Sequence, residues 1–250
     1  MCGSELVALP ESVQKVAALL QAKEHPHAPV MLDDAARTAQ QAADGLGVGV
    51  GQIAKSIVFR RRSDDAAVLV VTSGDQRVDE KKLEALVCPD GKRLGRADAE
   101  FVKSKTGFSI GGVSPLAHAT PSVLLIDQSL FRFDEIWAAA GHPNAVFQLT
   151  PADLERLTGA PVVDVAVNPI EEQLSQQNAI TLVAARARIM AATAEILSPC
   201  ISVCRMHAVT GLCEGCFRTR DEIAVWGNAG DDAKRSTWAR IEKRMAALQI

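Results

Sequence analysis

No run of eighteen or more consecutive apolar residues occurs, so no membrane-spanning helix is expected. The opening "MCGSELVALPESVQK" lacks a basic segment followed by an apolar one, which argues against a secretion signal. Charge of one sign is also missing: 27 Lys and Arg face 30 Asp and Glu, a formal net of -3. No global basic field marks the chain for nucleic acid. Cysteines are scarce outside one segment, and no repeat period is visible. A reducing cytoplasm is the expected setting, where clustered cysteines read as a metal site rather than disulfides.

What is present is apolar content of 48% over 250 residues, enough for one large domain plus a small one. Val13, Val16, Ala17 and Leu20 recur at helical spacing and predict an amphipathic first helix. "PVML" reads as a short strand. Asp33 and Asp34 are expected to cap a helix reaching about Ala43, stopped by Gly45 and Gly47. "SIVFRR" and "AAVLVVTSG" read as strands around the turn "RSDD". "VDEKKLEALV" and "RADAEFVKSKTG" read as helices, the second stopped by Gly107. "VLLID" reads as a strand after a Gly/Pro-rich loop, and "EIWAAAG" and "AVFQLT" as a hairpin around "HPN". Thr150 and Pro151 open a further helix, and "PVVDVAV" reads as a last strand.

Composition shifts after Pro169. An alanine-rich helical linker over 170–197 is expected, ended by Ser198-Pro199, then a module over 198–250. In the module, Thr219 and Glu222 fit a capping box. Trp238, Ile241, Met245 and Leu248 share one face of a final helix, a stripe expected to pack on the cysteine site or the linker. From residue 170 onward, 10 Lys and Arg meet 9 Asp and Glu, so charge alone does not select RNA.

Three stretches of residues 1–169 carry chemical interest. In "GQIAKSIVF", Lys55 is expected to end a helix or turn just before a strand. "VLVVTSGDQRVD" runs a strand into Ser73, Gly74 and Asp75. In "TGFSIGGVSPLAH", Gly111 and Gly112 let the backbone approach a ligand closely, so that peptide N–H groups can converge on an oxyanion. Taken singly, a lysine before a strand is usually a surface residue, and the other two are ordinary turns.

Together and in this order, "AKSIVF", "VLVVTSGDQRVDEKKL", "TGFSIGGVSPLAH", "VLLIDQSL" and "EIWAAAGHPNAVFQLTPADLERLTGA" resemble the YbaK/EbsC family, relatives of the editing domain inserted in bacterial prolyl-tRNA synthetases. The resemblance covers about residues 10–167. It implies an α/β (α+β) fold with a mixed, barrel-like sheet flanked by helices, and an aminoacyl-tRNA deacylase acting in trans on mischarged tRNA. Such editing is needed because one methylene separates amino acids by only about 1–3 kcal/mol in a binding pocket. By resemblance Lys55 is the functional lysine, supplying positive charge to the substrate carbonyl or the terminal adenosine phosphate. The N–H groups near Gly111 and Gly112 contribute to the oxyanion site. Ser73, Gly74, Asp75, Thr106 and His118 are candidates for substrate binding, and no cofactor is needed for the chemistry. The partners implied are mischarged tRNA and, by extension, a synthetase. Two departures stand out. Ala117 occupies a position where relatives often have glycine, and "WAAAGHPNAVF" lacks the polar pocket residues of the branch that edits cysteinyl-tRNA, so no amino acid is assigned.

The remaining constellation is Cys200, Cys204, Cys213 and Cys216 in "PCISVCRMHAVTGLCEGC". Four thiols at this spacing suit a tetrahedral thiolate site, with nearby backbone N–H groups turned toward sulfur. His207 is a weaker candidate ligand. The stretch over about 198–245 also resembles a small uncharacterised domain family typified by YdhL, for which an iron–sulfur centre is the implied cofactor. Spacing alone does not separate zinc from a cluster. A structural zinc suits a module too small to fold easily unaided. Two further functions stay open at this point: a non-catalytic binder of aminoacyl-tRNA or another ligand, and a metal- or redox-regulated accessory factor.

Overall fold

The computed structural model describes residues 9–33, 36, 38–192, 196–207 and 210–248. The chain divides into two compact units, Met1–Val167 and Asn168–Ile250.

The first unit is built on an eight-stranded mixed sheet. Its strands are β1 (Val30–Met31), β2 (Ile53–Arg61), β3 (Ala66–Ser73), β4 (Leu94–Arg96), β5 (Val123–Asp127), β6 (Ile136–His142), β7 (Ala145–Leu149) and β8 (Val162–Val163); seven run in the order β1-β7-β6-β2-β3-β5-β8, and β4 pairs with β2 off that path. β3 is buried along nearly its whole length, as expected for a strand covered on both faces. Leu69 and Val71 point into one core with Phe147 and Ile136, and Val68 and Val70 into the other with Leu83 and Val165.

Helix α1 (Glu11–Ala22) buries Val13, Val16 and Leu20, each worth about 1.5–3 kcal/mol relative to exposure. It crosses β6 so closely that a Cβ on Gly141 would lie 2.7 Å from the Ser12 carbonyl oxygen. Helix α2 (Ala39–Leu46) differs from the expectation at its start. Thr38, not Asp33 or Asp34, is the N-cap, in a capping box with Gln41, and Asp34 lies outside the described residues. Gly47 ends α2 in the left-handed conformation. Helices α3 (Glu80–Val87), α4 (Ala99–Thr106) and α5 (Pro151–Thr158) are capped by Asp79, Asp98 and Thr150. "PVVDVAV" yields only the two residues of β8 and a bridge from Ala166 to Val78.

β2 determines where the site lies. It pairs β3 over Ala54–Arg61, but on its other edge it meets β6 only at Ile53 and Ala54 and β4 only at Phe59–Arg61. Among the described residues no strand covers that edge from Lys55 to Val58, and the gap opens a pocket.

In the second unit, α6 (Pro169–Ala192) and α8 (Asp231–Ala247) share one small core with the loop residue Phe217: Ala179, Ile180, Val183, Phe217, Trp238, Ile241 and Met245; α7 (Arg220–Val225) adds no buried residue to it. The helix expected as a linker is therefore part of the module's own packing. Leu248 stays exposed at the end of the α8 stripe. The cysteine segment folds back on itself through bridges Met206–Cys213 and Leu212–Thr219. The Trp238 indole N–H donates to the Leu197 carbonyl at 2.9 Å.

Candidate active site

The gap beside β2 is a cavity of about 250 Å³. Lys55, Ser56 and Ile57 form one wall. Trp137, Ala139, Ala145 and Val146 form the sheet side, Ala39 and Ala42 come from α2, and Gly111 and Val113 come from the glycine loop. Among the described residues the lining holds one charged side chain, and no Ser–His or Cys–His pair. Lys55 is not at the end of a helix or turn as expected; it is the third residue of β2, directly after a 3₁₀ turn, Val50–Gln52.

The Lys55 Nζ donates to the Gly74 carbonyl at 3.1 Å and the Gln76 carbonyl at 2.5 Å. Both belong to the turn after β3, closed by the Gln76 N–H on the Ser73 carbonyl at 3.0 Å. Burial pulls the Lys55 pKa below the ordinary lysine value, and the Asp75 carboxylate opposes that pull. Two carbonyl acceptors likewise favour the protonated form. Ser73 is buried; its hydroxyl lies 2.5 Å from the Gly51 carbonyl and 2.7 Å from Asp75 Oδ1. Arg132, on the 3₁₀ turn Gln128–Arg132, reaches Ser73 Oγ at 2.9 Å and both carboxylate oxygens of Asp75. Two glycines let these turns close. A Cβ on Gly74 would lie 2.1 Å from the Val50 carbonyl oxygen, and one on Gly51 would meet Phe133 at 2.6 Å.

The glycine loop is a turn in which the Gly112 N–H donates to the Ser109 carbonyl at 3.0 Å. Gly111 sits at its third position with φ +91°, the requirement of a type II turn. Gly112 presses against His142, where a Cβ would lie 2.6 Å from the carbonyl carbon. The Gly112 N–H is thus committed within the turn. Among the described residues the N–H groups of Gly111 and Val113 donate to no protein acceptor.

The structure brings Lys55 and Gly111 to one pocket, with Gly74 holding the lysine through its carbonyl. Ser73 and Asp75 stand behind that turn. Thr106 and His118 are elsewhere. The Thr106 hydroxyl donates to the Val102 carbonyl and accepts from the Phe108 N–H at the end of α4. His118 Nε2 donates to the Ser114 carbonyl at 2.7 Å, with its pKa pulled down by burial. Sequence reasoning missed Arg132, which meets Asp75 across 57 residues and belongs to no motif. It also missed Ser56, whose pocket-wall Oγ is buried without a hydrogen-bond partner among the described residues.

In the second unit Cys200, foremost, and also Cys213 lie near enough to Cys204 to push its thiol pKa up. The Arg218 Nε–H points at Cys216 Sγ at 3.3 Å, and the Ser202 N–H at Cys200 Sγ at 3.4 Å. These N–H···S contacts are the kind that support thiolate ligands, so the donor chemistry suits a thiophilic ion. The arrangement falls short of a coordination sphere: among the described residues no three or more His, Cys, Asp or Glu side chains converge to hold a metal ion. No helix among those residues is long and apolar enough to cross a membrane.

The first unit is thus a mixed α/β domain whose pocket presents one held ammonium and backbone donors. Residues 33–157, half the chain, match the family described as the aminoacyl-tRNA editing domain, and the chain belongs to that family. Residues 198–245 match a protein family of unknown function, DUF1289. The chain is similar to the uncharacterized protein YwhH of Bacillus subtilis (strain 168), 35% identical over 121 residues, covering 48% of this chain and 74% of YwhH. It is 30% identical over 119 residues to the proline–tRNA ligase of Lactobacillus acidophilus, a match spanning 48% of this chain and only 20% of the ligase. Among solved structures, a proposed trans-editing enzyme for prolyl tRNA synthetase is 40% identical, covering 64% of this chain and 100% of that one, with a TM-score of 0.59.

Proposed function

We propose that the chain is a trans-editing deacylase, hydrolysing the ester between an amino acid and the 3′ end of a mischarged tRNA in the cytoplasm. The observation that carries this reading is Lys55. An ammonium held by two carbonyls at an apolar pocket, opposite the turn of Gly111, sits on a domain of the editing family.

The chemistry asks little of the protein. Water adds to the ester carbonyl, and the carbonyl oxygen takes up negative charge. The carbon–oxygen bond to the ribose then breaks, and a proton from water passes to the ribose oxygen, leaving a free amino acid and an uncharged tRNA end. The Gly111 and Val113 N–H groups are the donors free to meet the developing oxyanion, while Gly112 shapes the turn. Lys55 acts as a charge on the carbonyl or the terminal adenosine phosphate. Serving as a base would require it to give up a proton that the Gly74 and Gln76 carbonyls hold. The apolar walls receive the amino-acid side chain.

A panel of mischarged tRNAs incubated with the wild type and Lys55→Ala tests this. At least one ester should be cleaved by the wild type, and the variant should be slower by about 10²–10³-fold, the scale of losing one electrostatic group at the oxyanion. If no ester in the panel is cleaved faster than in buffer, the enzyme reading fails and a binding role takes its place.

For the second unit the reading is a zinc ion on Cys200, Cys204, Cys213 and Cys216, supported by the four thiols and their N–H···S donors. It would act as a structural staple, with the module serving tRNA or synthetase contact. Elemental analysis of the purified chain should find about one zinc, lost on Cys213→Ser. Iron with visible absorbance would replace zinc by an iron–sulfur cluster.

A further inference from the structure

We propose that Arg132 is a positioning residue of this site: by holding both carboxylate oxygens of Asp75 it keeps that carboxylate off the Lys55 ammonium and fixes the turn whose carbonyls carry the lysine. The catalytic consequence rests on the deacylase reading above, while the effect on Lys55 does not.

Three pieces of chain meet here with no room to slide. The turn Val50–Gln52 abuts Gly74, where a Cβ would strike the Val50 carbonyl oxygen at 2.1 Å. Ser73 bridges that turn through the Gly51 carbonyl. Arg132 closes the assembly from the third side, on Ser73 Oγ and on Asp75. The guanidinium carbon also lies 4.7 Å from the centre of the Phe133 ring, a cation–π contact that adds to its hold. The same turn supplies both acceptors of Lys55.

The electrostatics point the same way. Asp75 is the charged group that acts on Lys55, and Arg132 is the cation on Asp75. Without the guanidinium, the Asp75 carboxylate is left with Lys55, a cation it already acts on. A charge-assisted bond is about twice as strong as one to a neutral carbonyl. The ammonium would therefore exchange its carbonyl partners for the carboxylate and leave the pocket. Losing a neighbouring positive charge and gaining a free negative one both favour the protonated lysine, so its titration should move to higher pH.

The experiment uses the full chain as wild type, Arg132→Gln, Arg132→Lys and the double variant Arg132→Gln/Asp75→Asn. Competitive acetylation by isotopically labelled acetic anhydride across pH, with peptide mass spectrometry, reads the Lys55 titration without any substrate. Arg132→Gln should shift that titration upward. Removing the freed carboxylate in the double variant should return it to the wild-type position or below, and Arg132→Lys should stay near wild type. In deacylation, kcat/KM should fall about 10–100-fold in Arg132→Gln, the scale of a small misplacement of a catalytic group, and recover in part in the double variant. The Arg132 side chain is 41% exposed, and thermal melts confirm that the variants are folded. An unmoved Lys55 titration in folded Arg132→Gln overturns the proposal, as does a shift that the double variant fails to reverse. If the wild type cleaves no ester, the deacylase reading falls, and the labelling still decides the role of Arg132.

Discussion

Ala117 has a φ of +59°, in the left-handed region where a β-carbon costs about 1–2 kcal/mol. It sits in the loop that descends from the glycine turn, between the buried Leu116 and the His118 ring that holds the Ser114 carbonyl. The family resemblance places glycine here, and the backbone now explains why. Glycine relieves the strain but frees the unfolded chain, at about 0.5–1 kcal/mol. Ala117→Gly should therefore raise stability by about 0.5–1 kcal/mol, read as a higher urea midpoint at unchanged slope. A lower midpoint would mean that the methyl contact with the core outweighs the strain. At this scale the candidate site was only half legible. Lys55 and Gly111 could be found because their neighbours form an ordered pattern along the chain. Arg132 and Ser56 could not, because their roles come from contacts that only the folded sheet creates.

Elements announce themselves through their ends. Thr150 and Thr219 open α5 and α7 as read from sequence, Thr219 with the expected capping box and Thr150 with one to Asp153 that only the structure shows, and Gly107 stops α4 at φ +82°. Glu222 does more than cap. Its carboxylate accepts from the Thr219 N–H at 2.9 Å, from Arg240 at 2.7 Å and from Arg244 at 2.7 Å. Burial pushes its pKa up, but Arg244, the Thr219 N–H and Arg240 outweigh that and bring it down to about 2. A carboxylate depressed in the folded state stabilises fully above its unfolded pKa and loses that contribution as pH falls toward the folded one. Between about pH 4.5 and 2 the second unit should lose on the order of 2–3 kcal/mol from this group. Circular dichroism melts at pH 6 and pH 3 should show a drop in wild type that is much smaller in Glu222→Gln; equal drops would assign acid sensitivity elsewhere. The elements that sequence missed have no such ends. β4 is three residues, Leu94–Arg96, created by pairing with β2 rather than by periodicity. The start of α2 was misplaced because Asp33 and Thr38 are both good caps, and only packing of Ala42 and Ala43 under Ile53 selects the later one.

At the scale of the whole molecule, the cores are segregated. The two clusters that sandwich β3, and the small one beneath α2, draw every buried member from the first unit. The cluster around Trp238 and Ile241 draws all of its members from the second. Unfolding cooperativity follows shared cores, so each unit should melt on its own terms. The boundary matters for how this is tested. A cut after residue 197 would leave α6 attached to the first unit with Ile180 and Val183 stripped of their partners. A cut after Val167 removes no buried residue of the first unit. The chain ending at Val167 should therefore fold, melt within a few degrees of the first transition of the full chain, and still cleave a minimal aminoacyl ester, since Lys55, Gly111 and Arg132 all remain. The module's contribution should then appear only with whole tRNA, as a rise in KM at little changed kcat, the mark of lost uniform binding. A truncated chain that folds yet cleaves nothing would show that the second unit supplies part of the chemistry. One that does not fold would show that the two cores, separate in composition, are not separate in stability.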